Sequence, residues 1–194
     1  MKDKEFFTKY TEIFLEENRK INLISKNDEK YLWEKHIFDS LALELFFEKY
    51  GTPKTLLDFG TGGGFPSVPL ALSNPKIQIT ALDSISKKIR AVQMFKDKLD
   101  IKNLSPVCER VENYNKKFDV VTSRAVASLD KICAYAFPRL NKGGYVVTFK
   151  SKKALEEIHL AENVLKKNNA KVIDIINYDL PLEEKIDRCL IVIK

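Results

Sequence analysis

A chain of 194 residues, 44% hydrophobic and 31% charged, is long enough for one domain with a sizeable core and a small appendage. Its 33 Lys and Arg against 27 Asp and Glu give a formal charge of +6, which fits either a lysine-rich solubilising surface or an anionic partner, nucleic acid first. No apolar run approaches membrane-spanning length, the first residues lead into an amphipathic segment rather than an apolar signal core, and the three cysteines (Cys108, Cys133, Cys189) are too scattered for a zinc site or a disulfide framework. The expectation is a cytoplasmic protein with no metal and no membrane partner.

Residues 3–50 read as helical throughout. Phe6, Phe7, Tyr10, Ile13, Phe14 and Glu17 recur at helical spacing with charge on the opposite face, and the aromatics are read as core rather than as base-stacking platforms. A break follows at 21–28, then a second helix over about 29–47 carrying Leu32, Trp33, His36, Ile37, Ser40 and Leu41, stopped by Gly51-Thr52-Pro53. From residue 54 the pattern alternates. Apolar runs suited to buried parallel strands occupy 55–59, 77–82, 105–108, 118–122 and 145–149, with helical segments over 65–73, 86–99, 129–140 and 153–168 between or after them. Such alternation predicts right-handed crossovers and a doubly wound sheet. Two further strands, 172–178 and 188–193, are separated by a loop too short for a helical crossover and should pair antiparallel. The predicted organisation is a helical extension at 1–50 packed on a Rossmann-like domain at 51–194, with a mostly parallel seven-stranded sheet carrying one reversed strand, the arrangement of class I methyltransferases.

The run Leu56-Leu57-Asp58-Phe59-Gly60-Thr61-Gly62-Gly63-Gly64-Phe65-Pro66 reads as a buried strand entering a glycine-rich turn. Glycines at alternate positions let backbone approach a ligand closely, and Asp83, ending the next strand, follows Gly60 at close to the spacing of about 20 residues expected of a ribose-binding carboxylate. The alternative role for Asp83 is a helix cap shared with Ser84. A dinucleotide fingerprint would need its third glycine where Phe65 stands, and Pro66 and Pro69 make a poor helix start for receiving a pyrophosphate. The loop therefore favours S-adenosylmethionine, with Asp58 and the turn meeting its cationic amino-acid end. Val111-Glu112, after the third strand, reads on its own as exposed charge.

The continuation Phe65-Pro66-Ser67-Val68-Pro69-Leu70, together with Asn22-Leu23, Lys35-His36-Ile37-Phe38-Asp39-Ser40-Leu41, Leu82-Asp83-Ser84, Arg110-Val111-Glu112 and Ser123-Arg124-Ala125, resembles the RsmG (GidB) family of bacterial small-subunit rRNA methyltransferases, in family order and over essentially the whole chain. The resemblance implies methyl transfer from S-adenosylmethionine to N7 of a guanine in 16S rRNA near the decoding site. It implies cofactor contacts at Gly60, Phe65, Val111, Glu112 and Arg124, with Val111-Glu112 near the adenine. Three positions depart from the family pattern: Ser67 and Ser151 stand where glycine is common, and Ile24 where threonine is common.

The residues also say which chemistry is missing. No Asn-Pro-Pro-Tyr-like motif follows the fourth strand, and no cysteine is placed for attack on a pyrimidine carbon. Guanine N7 needs neither, so no general base is assigned, and Arg124 is placed at the cofactor–substrate junction. His36, Asp39 and Ser40 lie a helical turn apart but lack a nucleophile elbow. His36 and Asp39 are read first as partly buried polar ties between the N-terminal helices and the cofactor lobe, with RNA or substrate contact as the alternative. Lys87, Lys88, Arg90, Arg139, Lys142, Lys150, Lys152 and Lys153 are candidates for phosphate contact. A monomer acting on 16S rRNA of the small subunit is expected. A small-molecule methyltransferase and a non-catalytic RNA-binding module are the rival readings.

Overall fold

The computed structural model describes residues 2–124, 126–151 and 154–194. Its strands are β1 (Thr55–Phe59), β2 (Gln78–Asp83), β3 (Leu104–Cys108), β4 (Phe118–Arg124), β5 (Leu140–Lys150), β6 (Val172–Asp179) and β7 (Asp187–Ile193), forming one sheet in the order β3-β2-β1-β4-β5-β7-β6. The first five run parallel; β7 is antiparallel to both β5 and β6. The reversed strand therefore falls where the short loop before it requires.

Alternation along each strand feeds two cores. Leu56, Val120, Val147, Leu190 and Val192 face one side, which also holds Phe7, Tyr10, Phe14, Phe65 and Phe95. Leu57, Val121, Val146, Ile191 and Ile193 face the other, against Leu129, Ile132, Ala161 and Leu165. Helix α1 (Thr8–Ile21) thus shares the first core with α4 (Ser67–Ser73) and α5 (Ser86–Lys98), while α6 (Leu129–Ala136) and α7 (Ala154–Lys167) cover the second. Within the first core Phe14 packs on Phe65 and Phe95, with ring centroids 5.1 and 5.6 Å apart. Phe6 departs from its expected place in the core: it is 46% exposed and lies edge-on against Phe7.

Element boundaries differ from the sequence expectation in several places, among them β5, which begins at Leu140, five residues before its expected start. The single helix expected over about 29–47 is broken into a 3-10 segment Lys26–Tyr31, a π-helical segment Leu32–Phe38, then α2 (Asp39–Leu41) and α3 (Leu43–Tyr50). The helix expected over 129–140 stops at Ala136 and gives way to a 3-10 turn Phe137–Arg139, because Pro138 has no N–H to continue the ladder. Strand β4 runs on to Arg124, two residues beyond the expected end, so Ser123 and Arg124 stand at its carboxyl tip.

Replacing Phe14 by Ala removes the ring that joins α1 to Phe65 and Phe95. Urea denaturation is expected to show a loss of about 3–5 kcal/mol, the cost of emptying a fully buried aromatic position.

Candidate functional site

The strand order reverses at β1 and β4, and ligands in open α/β sheets lie outside the carboxyl ends of strands at such a switch point. A cavity of about 510 Å³ occupies that place, within the range of small-molecule sites. Its walls come from the ends of β1 (Phe59), β2 (Leu82, Asp83), β4 (Arg124) and from the segment after β3 (Glu109 to Glu112). Its floor is the loop Gly60 to Phe65.

The loop conformation needs glycine. Gly60 has φ +72°, and a Cβ there would collide with the Val126 side chain; Gly64 has φ +94°, and a Cβ would lie 2.7 Å from Val68 Cγ2. Asp83 fixes the loop to β2: one carboxylate oxygen accepts the Gly62 N–H at 2.9 Å and the other accepts the Ile85 N–H at 2.9 Å. Each oxygen keeps a second lone pair at the cavity wall. Ser84 also lines the cavity.

Asp58 is a correction. The sequence reading put its carboxylate against the cofactor, but the residue is fully buried and does not line the cavity. It accepts a hydrogen bond of 2.5 Å from the Ser67 hydroxyl, which is itself 3.0 Å from the Thr61 hydroxyl, while its Oδ1 has no partner among the described residues. Ser67, standing where glycine is common in the family, thus ties α4 to β1 beneath the loop. Burial pushes the Asp58 carboxyl up to about 7, against the opposing pull of the Ser67 and Thr61 hydroxyls.

The segment Val111–Asn113 is a 3-10 turn on the cavity wall, held from behind by Arg139. Arg139 is 5% exposed, and its guanidinium donates to the carbonyls of Glu112 (2.8 Å), Tyr114 (2.9 Å) and Tyr135 (2.9 Å). Its expected contact with RNA phosphate is therefore replaced by a clamp on the cavity. Lys150 is corrected on the same ground: partly buried, it donates to Glu157 at 2.5 Å and to the Ala127 carbonyl at 3.1 Å. Lys142 is exposed but sits toward the amino end of β5, away from the cavity. Lys87, Lys88 and Arg90 lie at the start of α5, with Lys88 on the cavity wall. Lys152, Lys153 and Ala125 of the Ser-Arg-Ala triplet lie outside the described residues.

Arg124 joins the cavity to the N-terminal helices. It donates to Asp39 Oδ2 at 2.9 Å and to the Lys35 carbonyl at 3.1 Å, faces His36 Nδ1 at 3.2 Å, and lies 5.2 Å from the centre of the Phe65 ring. Asp39, fully buried, also takes two bonds from Arg188 (3.0 and 2.7 Å) and one from the Tyr178 hydroxyl (2.7 Å). Burial would raise the Asp39 carboxyl, but the two guanidiniums outweigh it and hold it below the usual carboxylate range. Burial and then the Arg124 charge push His36 down to about 4. Since guanidinium only donates, His36 Nδ1 accepts and the ring is neutral with its proton on Nε2, a buried N–H with no partner among the described residues. The polar-tie reading of His36 and Asp39 accords with this geometry. Ser40 donates back to the His36 carbonyl.

Sequence reasoning missed the contribution of the N-terminal segment to the cavity. Leu23 and Ile24 form part of its wall, placed by Asn18, whose Oδ1 accepts the Ile24 N–H at 2.8 Å and whose amide donates to Glu29 at 2.7 Å. Asn22-Leu23 within the resemblance was the available signal. Val126 and Tyr135, also in the wall, carried none.

The cavity suits a nucleoside-bearing cation: a glycine cradle that a Cβ would fill, an acceptor carboxylate at the β2 end, and apolar faces from Leu82 and Val111. With this strand order it defines a class I S-adenosylmethionine-dependent methyltransferase. Solved structures of the same fold include an S-adenosylmethionine-dependent methyltransferase from Aquifex aeolicus (TM-score 0.61, 15% identity, covering 87% of this chain and 98% of that one) and a ribosomal protein L11 methylase from Lactobacillus delbrueckii (TM-score 0.59, 16% identity, covering 79% and 76%). A family model described as rRNA small subunit methyltransferase G matches residues 3–184. The chain is 35% identical over 99% of its length to ribosomal RNA small subunit methyltransferase G of Staphylococcus saprophyticus, covering 82% of that protein, and 34% identical over its full length to that of Lactobacillus acidophilus, covering 83%. The chain belongs to the rRNA small subunit methyltransferase G family, and its cofactor is S-adenosylmethionine. Among the described residues no helix is long and apolar enough to cross a membrane, and no group of three His, Cys, Asp or Glu side chains could hold a metal ion.

Two predictions follow from the buried groups. Asp58 binds its proton more tightly in the folded chain than in the unfolded one, so stability falls as pH rises from about 4 to about 7, then levels off. In Asp58→Asn this part of the slope is expected to vanish, so the variant gains most above pH 7; urea midpoints at pH 5 and pH 8 measure it. Arg139→Leu frees three carbonyls behind the Val111 turn and is expected to weaken S-adenosylhomocysteine binding about tenfold, equivalent to about 1.4 kcal/mol, in calorimetry.

Proposed function

We propose that the chain methylates N7 of one guanine in 16S rRNA of the small ribosomal subunit near the decoding site, acting as a monomer in the bacterial cytoplasm. In this reading residues 51–194 form the catalytic unit and residues 1–50 an extension that completes its site. Gly60, Gly62, Phe65 and Arg124 hold the amino-acid end of the cofactor, Asp83 and Ser84 its ribose, and Val111 and Glu112 its adenine. Asp58 acts one layer below, keeping the loop in shape through Ser67.

The cofactor supplies an electrophilic methyl group on a sulfonium. The guanine N7 lone pair lies in the ring plane and forms the new N–C bond as the S–C bond breaks. No proton leaves N7, and the positive charge passes to the purine. The site therefore has to align reactants and exclude water rather than abstract a proton. The observation that carries this reading is that neither titratable side chain held against Arg124 is poised as a base. His36 is neutral but offers only a donor, since its acceptor nitrogen faces Arg124. Asp39 is saturated by two guanidiniums and a phenol.

Incubation with methyl-labelled S-adenosylmethionine and undermethylated small subunits, naked rRNA or a metabolite extract tests the reading. Label is expected in rRNA as 7-methylguanosine. Label confined to metabolites refutes it in favour of a small-molecule enzyme, and label nowhere favours an RNA-binding module.

A further inference from the structure

A second cavity, of about 420 Å³, opens beside the cofactor cavity at the carboxyl ends of β4 and β5. Arg124 and Val126 belong to both walls, so the two spaces meet across this pair. The rest of the second wall is of mixed chemistry: Phe149 is apolar, Arg188 and Lys150 are cationic, and Glu157 is its one carboxylate among the described residues.

We propose that this cavity receives the acceptor base, flipped out of the RNA, and that Glu157 selects guanine by accepting from its Watson–Crick edge. The proposal rests on the rRNA guanine reading and adds the residues that recognise the base. Glu157 is held in place: Oε2 accepts the Leu129 N–H at 2.9 Å and the Lys150 ammonium at 2.5 Å. Both of these bonds end on Oε2, which leaves the lone pairs of Oε1 for a ligand. Its partner Lys150 is 9% exposed and anchored on the Ala127 carbonyl, so the pair is part of the wall rather than a mobile surface contact.

A fixed carboxylate is a poor feature for phosphate and a selective one for a base. Guanine alone among the four RNA bases presents two adjacent donors, N1–H and N2–H, which can converge on the two lone pairs of Oε1. Adenine places an acceptor there and is repelled. Seated on Glu157 by N1 and N2, the purine carries N7 and O6 along its other side. N7 faces the Arg124–Val126 junction, where the cofactor cavity begins. Arg188, also in this wall, gives Nε and Nη2 to Asp39, while Nη1 is not used in that pair. Asp39 orders both arginines and acts as a positioning residue for the two cavities together.

The test compares guanosine with inosine, which lacks only the N2 amino group, at the acceptor position of ligated 16S rRNA reconstituted into small subunits. Wild-type protein is expected to favour guanosine about tenfold or more in kcat/KM, the loss of one hydrogen bond to a charged acceptor. Fluorescence anisotropy of S-adenosylhomocysteine-saturated protein should rank the two RNAs in the same order. Glu157→Gln is expected to erase the preference while its affinity for S-adenosylhomocysteine, measured by calorimetry, stays at the wild-type value as evidence of folding. Wild-type protein that methylates both substrates equally overturns the proposal without recourse to any variant. So does a Glu157→Gln protein that binds S-adenosylhomocysteine normally and keeps the full preference. Guanosine substrate left unmethylated by wild-type protein instead overturns the underlying rRNA reading, and the proposal with it.

Discussion

The carboxylate of Asp39 is the point from which the rest of the site is set. It is fully buried and accepts four hydrogen bonds, from Arg124 on β4, two from Arg188 on β7, and one from Tyr178 on β6. A buried ion cluster of this kind contributes little net stability, because desolvation offsets most of its attraction, but breaking it is costly and its geometry is specific. Its effect is positional. The cluster locks the N-terminal helices, the tip of β4 and the reversed end of the sheet into one arrangement, and Arg124 can occupy the junction of the two cavities only in that arrangement.

The π-helical segment before Asp39 belongs to the same constraint. A regular helix over 29–47 would satisfy each carbonyl internally, whereas the observed backbone gives the Lys35 carbonyl to Arg124 and brings His36 Nδ1 beside the same guanidinium. Local helix regularity yields here to tertiary hydrogen bonding, as is common for wide helical turns near functional sites. A second tie, Asn18 on the Leu23–Ile24 backbone, carries the N-terminal region onto the glycine loop itself.

Behind the cofactor cavity, polar groups that read as ligands or RNA contacts in sequence are scaffolding. Asp58 faces Ser67 rather than the cavity, Arg139 spends its donors on three carbonyls, and Lys150 is consumed by Glu157 and Ala127. Nothing in the spacing of these residues distinguishes a buried clamp from an exposed contact. A lysine or arginine at a strand or helix end looks the same in either role, and only the packing of distant segments decides which carbonyls it meets.

Sequence by itself determined the class of the sheet: apolar runs alternating with helical segments call for a mostly parallel doubly wound sheet, and the short last connection calls for one reversed strand. It also determined the glycine loop and Asp83, because positive φ at Gly60 and Gly64 is a local requirement that only glycine meets without strain, and the signature running through Phe65, Pro66 and Pro69 placed the chain in its family. Tertiary structure decided the rest. That Leu23, Ile24, Val126 and Tyr135 share one cavity with Asp83, and that Glu157, Arg188 and Arg124 meet in a second, depends on contacts between segments far apart in the chain. Such contacts are fixed by burial of whole faces and by the Asp39 cluster, and they leave no periodic trace at the residues they bring together.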